Sequence, residues 1–198
     1  MGIPSYYKKT IENYPEIIIP DKYFNQKIDY LFLDLNCAIH PCCRKILEEY
    51  SNTTLTNDIV ESKMIHEVLN YIQKLVQMVN PQLLYIAIDG VAPCAKMNQQ
   101  RLRRYKNVYE KDKIDKIKED ENKELNIFNW NTNAISPGTE FMDKLSYKIK
   151  SEMKTNIIYS SIKVYFSDSY TPGEGEHKIL DYIKNNDLDG NIIIYGLD

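Results

Sequence analysis

Nothing in these 198 residues approaches the run of ~20 apolar residues that a membrane-crossing helix requires, so no spanning segment is expected. Four cysteines, Cys37, Cys42, Cys43 and Cys94, lack the paired spacing of a zinc finger. No secretory leader precedes them, so reduced thiols of a non-secreted protein are expected. The start Met1-Gly2 is followed at position 6 by Tyr6, where a myristoylation signal needs Ser or Thr. An excess of positive charge is also missing: 25 basic residues face 28 acidic ones, a formal charge of −3. Any contact with nucleic acid must therefore come from a local patch. What the chain does have is apolar material, 43% of its residues, enough to bury a substantial core.

That material falls into alternating strands and helices. Tyr30 to Leu35, Leu83 to Ile88, Ile162 to Phe166 and Asn191 to Tyr195 are short, nearly all-apolar runs, as strands buried on both faces of a parallel sheet should be. Between the first two, Val60, Met64, Val68, Ile72, Leu75 and Val79 recur at helical spacing and predict a packing helix ended by Pro81. Short helices are expected from Pro4 to Tyr14, towards Tyr50 and from Phe141 to Lys150. Pro41 predicts a bend or a helix start, and Ile17 to Ile19 an extended run closed by Pro20. The charged run Glu110 to Glu124 fits either an exposed helical extension or a mobile arm. Trp130 is expected to anchor the core rather than stack on a base.

The chemistry lies at the strand ends. Asp34 closes the first strand and Asp89 follows the second. Open α/β sheets bind ligands at these carboxyl edges. The stretch Thr171 to Lys178 reads Thr-Pro-Gly-Glu-Gly-Glu-His-Lys, with Glu174 and Glu176 two residues apart. On a regular helix these would point ~200° apart, so they can converge only at an element's first turn. Two acids held close repel unless a cation joins them. Asp198 ends the chain after the fourth strand with no following backbone to hold it, so these residues are expected to be the amino-terminal part of a longer protein. Oxygen-only donors of this kind suit Mg2+ or Mn2+, and two bridging cations would turn the acidic edge into a phosphodiester-hydrolysing site. Lys96, Gln100, Arg103 and Arg104 stack at helical intervals as a face of donors with no acid among them, suited to phosphate oxygens or to plain solvation. His40, taken alone, is equally a loop histidine or a ligand contact. The division of labour suggests a nuclease that recognises a terminal phosphate.

With these stretches in hand, the chain resembles the amino-terminal conserved region of the XRN family of 5′→3′ exoribonucleases. The resemblance runs through Met1 to Pro4, Leu33 to Asn36, His40, Asp89 to Pro93, Ala95 to Arg101, Ser136 to Thr139, Ser167 to Ser169, Pro172 to Lys178 and Tyr195 to Asp198. It implies an α/β fold with a mostly parallel central sheet flanked by helices, a PIN-like or flap-endonuclease-like nuclease core. Residues 1–198 would be part of the catalytic domain and 107–128 a charged helical extension or mobile insertion. It further implies that Asp34, Asp89, Glu174, Glu176 and Asp198 line a Mg2+ site of two ions. Lys96, Gln100, Arg103 and Arg104 would receive a 5′ monophosphate, and His40 would stack on the first base. The substrate would be single-stranded RNA with a 5′ monophosphate, released as nucleoside 5′-monophosphates, in the cytoplasm rather than the nucleus. The fragment alone is expected to be inactive without its downstream residues. Cys94 departs from the family, which carries arginine there. The competing expectations are a catalytically silent RNA-binding scaffold and a flap-type DNA nuclease.

Overall fold

The computed structural model describes residues 5–19, 26–121 and 128–196. Its centre is a parallel sheet of four strands, β1 (Tyr30–Asp34), β2 (Leu83–Ala87), β3 (Lys163–Ser167) and β4 (Ile192–Tyr195), in the order β3-β2-β1-β4. These are the four expected strands, with ends shifted by at most a residue or two, but only the central β1 and β2 are buried; β3 and β4, at the sheet edges, stay partly exposed. From β1 the chain moves outward through β2 to β3, then returns to the far side of β1 as β4. The direction of winding therefore reverses between β1 and β4, the point where such sheets open a crevice for ligands.

Among the described residues six α-helices follow the same order: α1 (Tyr6–Asn13), α2 (Asn36–Glu49), α3 (Asn57–Val79), α4 (Cys94–Asp120), α5 (Glu140–Thr155) and α6 (Gly175–Asn185). Alternation along the strands divides the apolar residues between two layers. Leu31, Leu33, Leu84 and Ile86 pack beneath α2, α3 and α5. Phe32, Tyr85 and Ala87 face the other way, onto Ile179 and Tyr182 of α6. The predicted packing helix is α3, which buries Val60, Met64, Ile65, Val68, Leu69, Ile72 and Val76. It stops at Asn80, whose φ of 47° is the left-handed turn that asparagine tolerates, just before Pro81. Trp130 is buried, donates from Nε1 to Glu61 at 3.0 Å and meets Phe141 edge-on at 5.0 Å, as an anchor should. No described helix is long and apolar enough to cross a membrane.

Two local expectations differ from the structure. Pro41 lies inside α2 rather than at its start. The helix begins five residues earlier because the Leu35 carbonyl accepts from both Ala38 and Ile39, turning β1 directly into α2. Ile17 instead ends a single 3-10 turn, Pro15–Ile17, and Ile18 behind it is extended. The charged run continues α4 as helix to Asp120, mostly exposed beyond Arg104. Pro4, Pro20 and Asp198 lie outside the described residues.

Candidate active site

β1 delivers Asp34 to the carboxyl edge of the sheet and β2 delivers Asp89 two residues past its last paired position. Asp89 is held from two sides: its backbone N–H donates to Asn36 Oδ1 at 3.2 Å, and its Oδ1 accepts from the Gly175 N–H at 2.7 Å. That N–H is one of the free amides at the start of α6, where a negative charge is favoured. Gly175 leaves room for this approach. A Cβ there would stand 2.6 Å from Asp34 Oδ1 and 3.5 Å from Asp89 Oδ1, so both carboxylates close on the same point. Gly196, after β4, also comes close: a Cβ there would stand 3.6 Å from Asp34 Cβ.

Glu174 precedes α6 as its N-cap and Glu176 sits in its first turn, so the pair can converge where a continuous helix would part them. Ligand atoms of Glu174, Glu176 and the exposed His177 lie within 4.8 Å of one another, a spacing that could hold a metal ion. Glu174 is nearly buried, and Lys96 Nζ, at the start of α4, stands 3.1 Å from its Oε2. Burial acts to raise the Glu174 pKa, but the Lys96 ammonium, with a smaller contribution from a hydrogen bond with Glu176, holds the carboxyl below its usual range. The donor set is oxygen-rich and pre-gathered, which fits a hard divalent cation.

The basic face of α4 divides. Lys96 turns to the acids, while Arg103 lies close enough to His40 to influence its charge. His40 is exposed, although nearby atoms still partly desolvate its ring. Desolvation there, with the charges of Arg103 and Arg44, lowers its pKa against the opposing pull of Asp89. A lowered pKa favours the neutral imidazole. Gln100 and Arg104 instead line a cavity of about 390 Å³ with Met97, Arg101, Tyr105 and Asn133. A larger hollow of about 590 Å³ between α2 and α3, lined in part by Tyr50, Lys63 and His66, contains none of the expected residues.

Three neighbours had no assigned role in the sequence reading: Asn36, His177 and Lys178. Lys178 is buried, donating from Nζ to the carbonyls of Ile88 at 2.7 Å and Asp168 at 2.9 Å. Burial pushes its ammonium pKa down, with Asp89 and Asp168 acting the other way. A signal existed in the sequence. Gly175, Lys178, Ile179 and Tyr182 share one face of α6, so a lysine occupies a position that periodicity reserves for an apolar residue.

A parallel sheet between helical layers, with acids gathered at its carboxyl edge, is consistent with a PIN-like, flap-endonuclease-like nuclease core. The family model described as XRN 5′-3′ exonuclease N-terminus matches residues 1–198, and the chain belongs to that family. A 5′-3′ exoribonuclease 2 of Aspergillus oryzae is 33% identical, covering 100% of this chain and 23% of its own length. A 5′-3′ exoribonuclease 1 of Homo sapiens is 34% identical, covering 100% of this chain and 12% of its own. The Candida glabrata 5′-3′ exoribonuclease 2 is 33% identical, and the chain again spans 23% of it. The chain therefore covers about a quarter or less of these relatives.

Proposed function

We propose that this chain forms part of a divalent-cation-dependent 5′→3′ exoribonuclease acting on single-stranded RNA with a 5′ monophosphate. The observation that carries the reading is the closing of Asp34 and Asp89 on Gly175, beside Glu174 and Glu176, with Lys96 of α4 paired to Glu174. Asp34, Asp89, Glu174 and Glu176, with Asp198 from the sequence, would hold Mg2+ or Mn2+. When bound, a pair of such ions activates water and stabilises a leaving oxygen. The remaining work belongs to the chain. Gln100, Arg103 and Arg104 of α4 supply the donors that receive the terminal phosphate through charge-assisted hydrogen bonds, and Lys96 of the same helix pairs with Glu174. Neutral His40 stacks on the first base and fixes how far the strand enters.

The water oxygen bonds to the second nucleotide's phosphorus, and the bond from that phosphorus to the first nucleotide's 3′ oxygen breaks. The first nucleotide leaves as a nucleoside 5′-monophosphate. The shortened strand carries a new 5′ monophosphate, the same end that the basic face accepts. Glu176→Gln keeps the shape of the side chain and removes its charge. In the full-length protein it should abolish cleavage while retaining RNA binding in a gel-shift assay; undiminished turnover would remove Glu176 from the site.

A further inference from the structure

Lys178 is only 7% exposed, and none of the roles above uses it. A buried ammonium is costly unless its protons are engaged. Its two acceptors are not arbitrary carbonyls. Ile88 immediately precedes Asp89, and Asp168 opens the loop that runs to Glu174 and Glu176. The same two loops meet through their backbones. The Gly90 N–H donates to Gly173 O at 2.9 Å, and the Gly173 N–H returns to Val91 O at 3.0 Å. Their approach is so close that a Cβ at Gly90 would fall 1.9 Å from Thr171 O. Lys178 thus reaches from α6 beneath the acidic edge and joins the two loops from inside, while Gly90 and Gly173 join them further along.

We propose that Lys178 is a positioning residue that clamps the Asp89 loop to the Glu174–Glu176 loop and so sets the separation of the carboxylates that hold the cation. This rests on the functional reading above. A lysine serving only the core would bond carbonyls anywhere in the fold; this one bonds the carbonyl next to Asp89 and the one that opens the loop to Glu174. Removing the clamp should let the loops part, weakening metal binding and slowing chemistry while leaving the α4 face free to bind the RNA end.

The test uses the full-length protein with Lys178→Met, which keeps the length and loses the donors, and Lys178→Arg, which restores two donors. Calorimetry with Mn2+ alone reads the site without turnover. For a folded Lys178→Met, Mn2+ affinity should fall about 10–100-fold, in the range seen when an outer partner of a metal ligand is lost. Its kcat on 5′-monophosphate RNA should fall similarly with KM within about twofold, and Lys178→Arg should recover part of both. Gly90→Ala separates the loops without touching Lys178 and should reproduce the loss of Mn2+ affinity, which keeps the claim testable if Lys178→Met does not fold. Unchanged Mn2+ affinity in folded Lys178→Met, or in folded Gly90→Ala should the first not fold, overturns the clamp. A wild-type protein that binds no Mn2+ overturns the reading of the site itself, and one that binds Mn2+ but cuts no RNA overturns only the proposed reaction.

Discussion

Adding one methyl group at Gly175 separates catalysis from stability. Its Cβ would lie 2.6 Å from Asp34 Oδ1 and 3.1 Å from Asp34 Cγ, against the ~3.4 Å at which ordinary contact begins. The Asp34 carboxylate, or the start of α6, must therefore shift by about 0.8 Å. Misplacing a reacting group by ~1 Å can cost ~100-fold, so kcat in Gly175→Ala should fall about 30–100-fold, or roughly 2–3 kcal/mol of transition-state stabilisation. The backbone does not resist alanine, because Gly175 is the first residue of α6 and is not among the glycines of positive φ. Alanine there gains up to ~1 kcal/mol of helix preference, which offsets the contact strain. Thermal unfolding should move by no more than a few degrees. Gly138→Ala is the opposite control. Its φ of 82° is left-handed and a Cβ would meet nothing within 4 Å, so it should lower the Tm and leave kcat unchanged. Single-turnover cleavage of 5′-monophosphate RNA, paired with calorimetric unfolding, reads both. A folded Gly175→Ala with kcat within twofold of wild type would refute the convergence of Asp34 and Asp89 on that point.

Other perturbations probe neighbouring parts. Arg103→Ala should reduce the preference for 5′-monophosphate over 5′-hydroxyl RNA about tenfold or more. It should also raise the His40 pKa, since Arg103 is the largest charge lowering it after desolvation; NMR titration of the imidazole checks this. An equal loss on both RNAs would make Arg103 a general backbone contact. Burial acts to raise Asp168, but Lys150 outweighs it and leaves the carboxyl below its usual value. Such a depressed group stabilises the fold above ~pH 4 and loses that contribution as the pH falls through its folded pKa. Lys150→Met should therefore be less stable than wild type at pH 7, by about 1 kcal/mol or less because Lys150 is half exposed, and the gap should close in acid; urea unfolding from pH 7 downward measures it. Trp130→Phe gives up the bond to Glu61 and part of the packing on Phe141, and should cost about 1–3 kcal/mol in chemical denaturation without changing RNA affinity.

Parallel strands between helical layers announce themselves as short apolar runs, which is why those from Tyr30, Leu83, Ile162 and Asn191 were legible in the sequence. Only the two central strands β1 and β2 are buried, however, and the edge strands β3 and β4 stay partly exposed. The convergence of Glu174 and Glu176 was legible for a related reason: two residues apart, they can meet only where α6 begins. Partnerships between distant segments were not. No local pattern tells that Lys96 turns to Glu174 while Gln100 and Arg104 open onto Asn133, since all lie on neighbouring stripes of one helix. Pro41 misled because a proline speaks for its own turn and not for the Leu35 carbonyl that had already started the helix. Lys178 was visible as a charge on an apolar stripe, yet its meaning depends on two carbonyls that only the fold brings beneath it.

The proposed function requires this acidic edge and its cationic helix to serve one reaction on one kind of RNA end. Hydrolysis of otherwise identical 5′-monophosphate, 5′-hydroxyl and 5′-triphosphate RNAs by the full-length protein, with Mg2+ and then Mn2+, tests it most directly. Release of nucleoside 5′-monophosphates from the monophosphate RNA alone is the predicted result. Binding without cleavage of any of the three, by a well-folded protein with either metal, would contradict it and leave an RNA-binding module in its place.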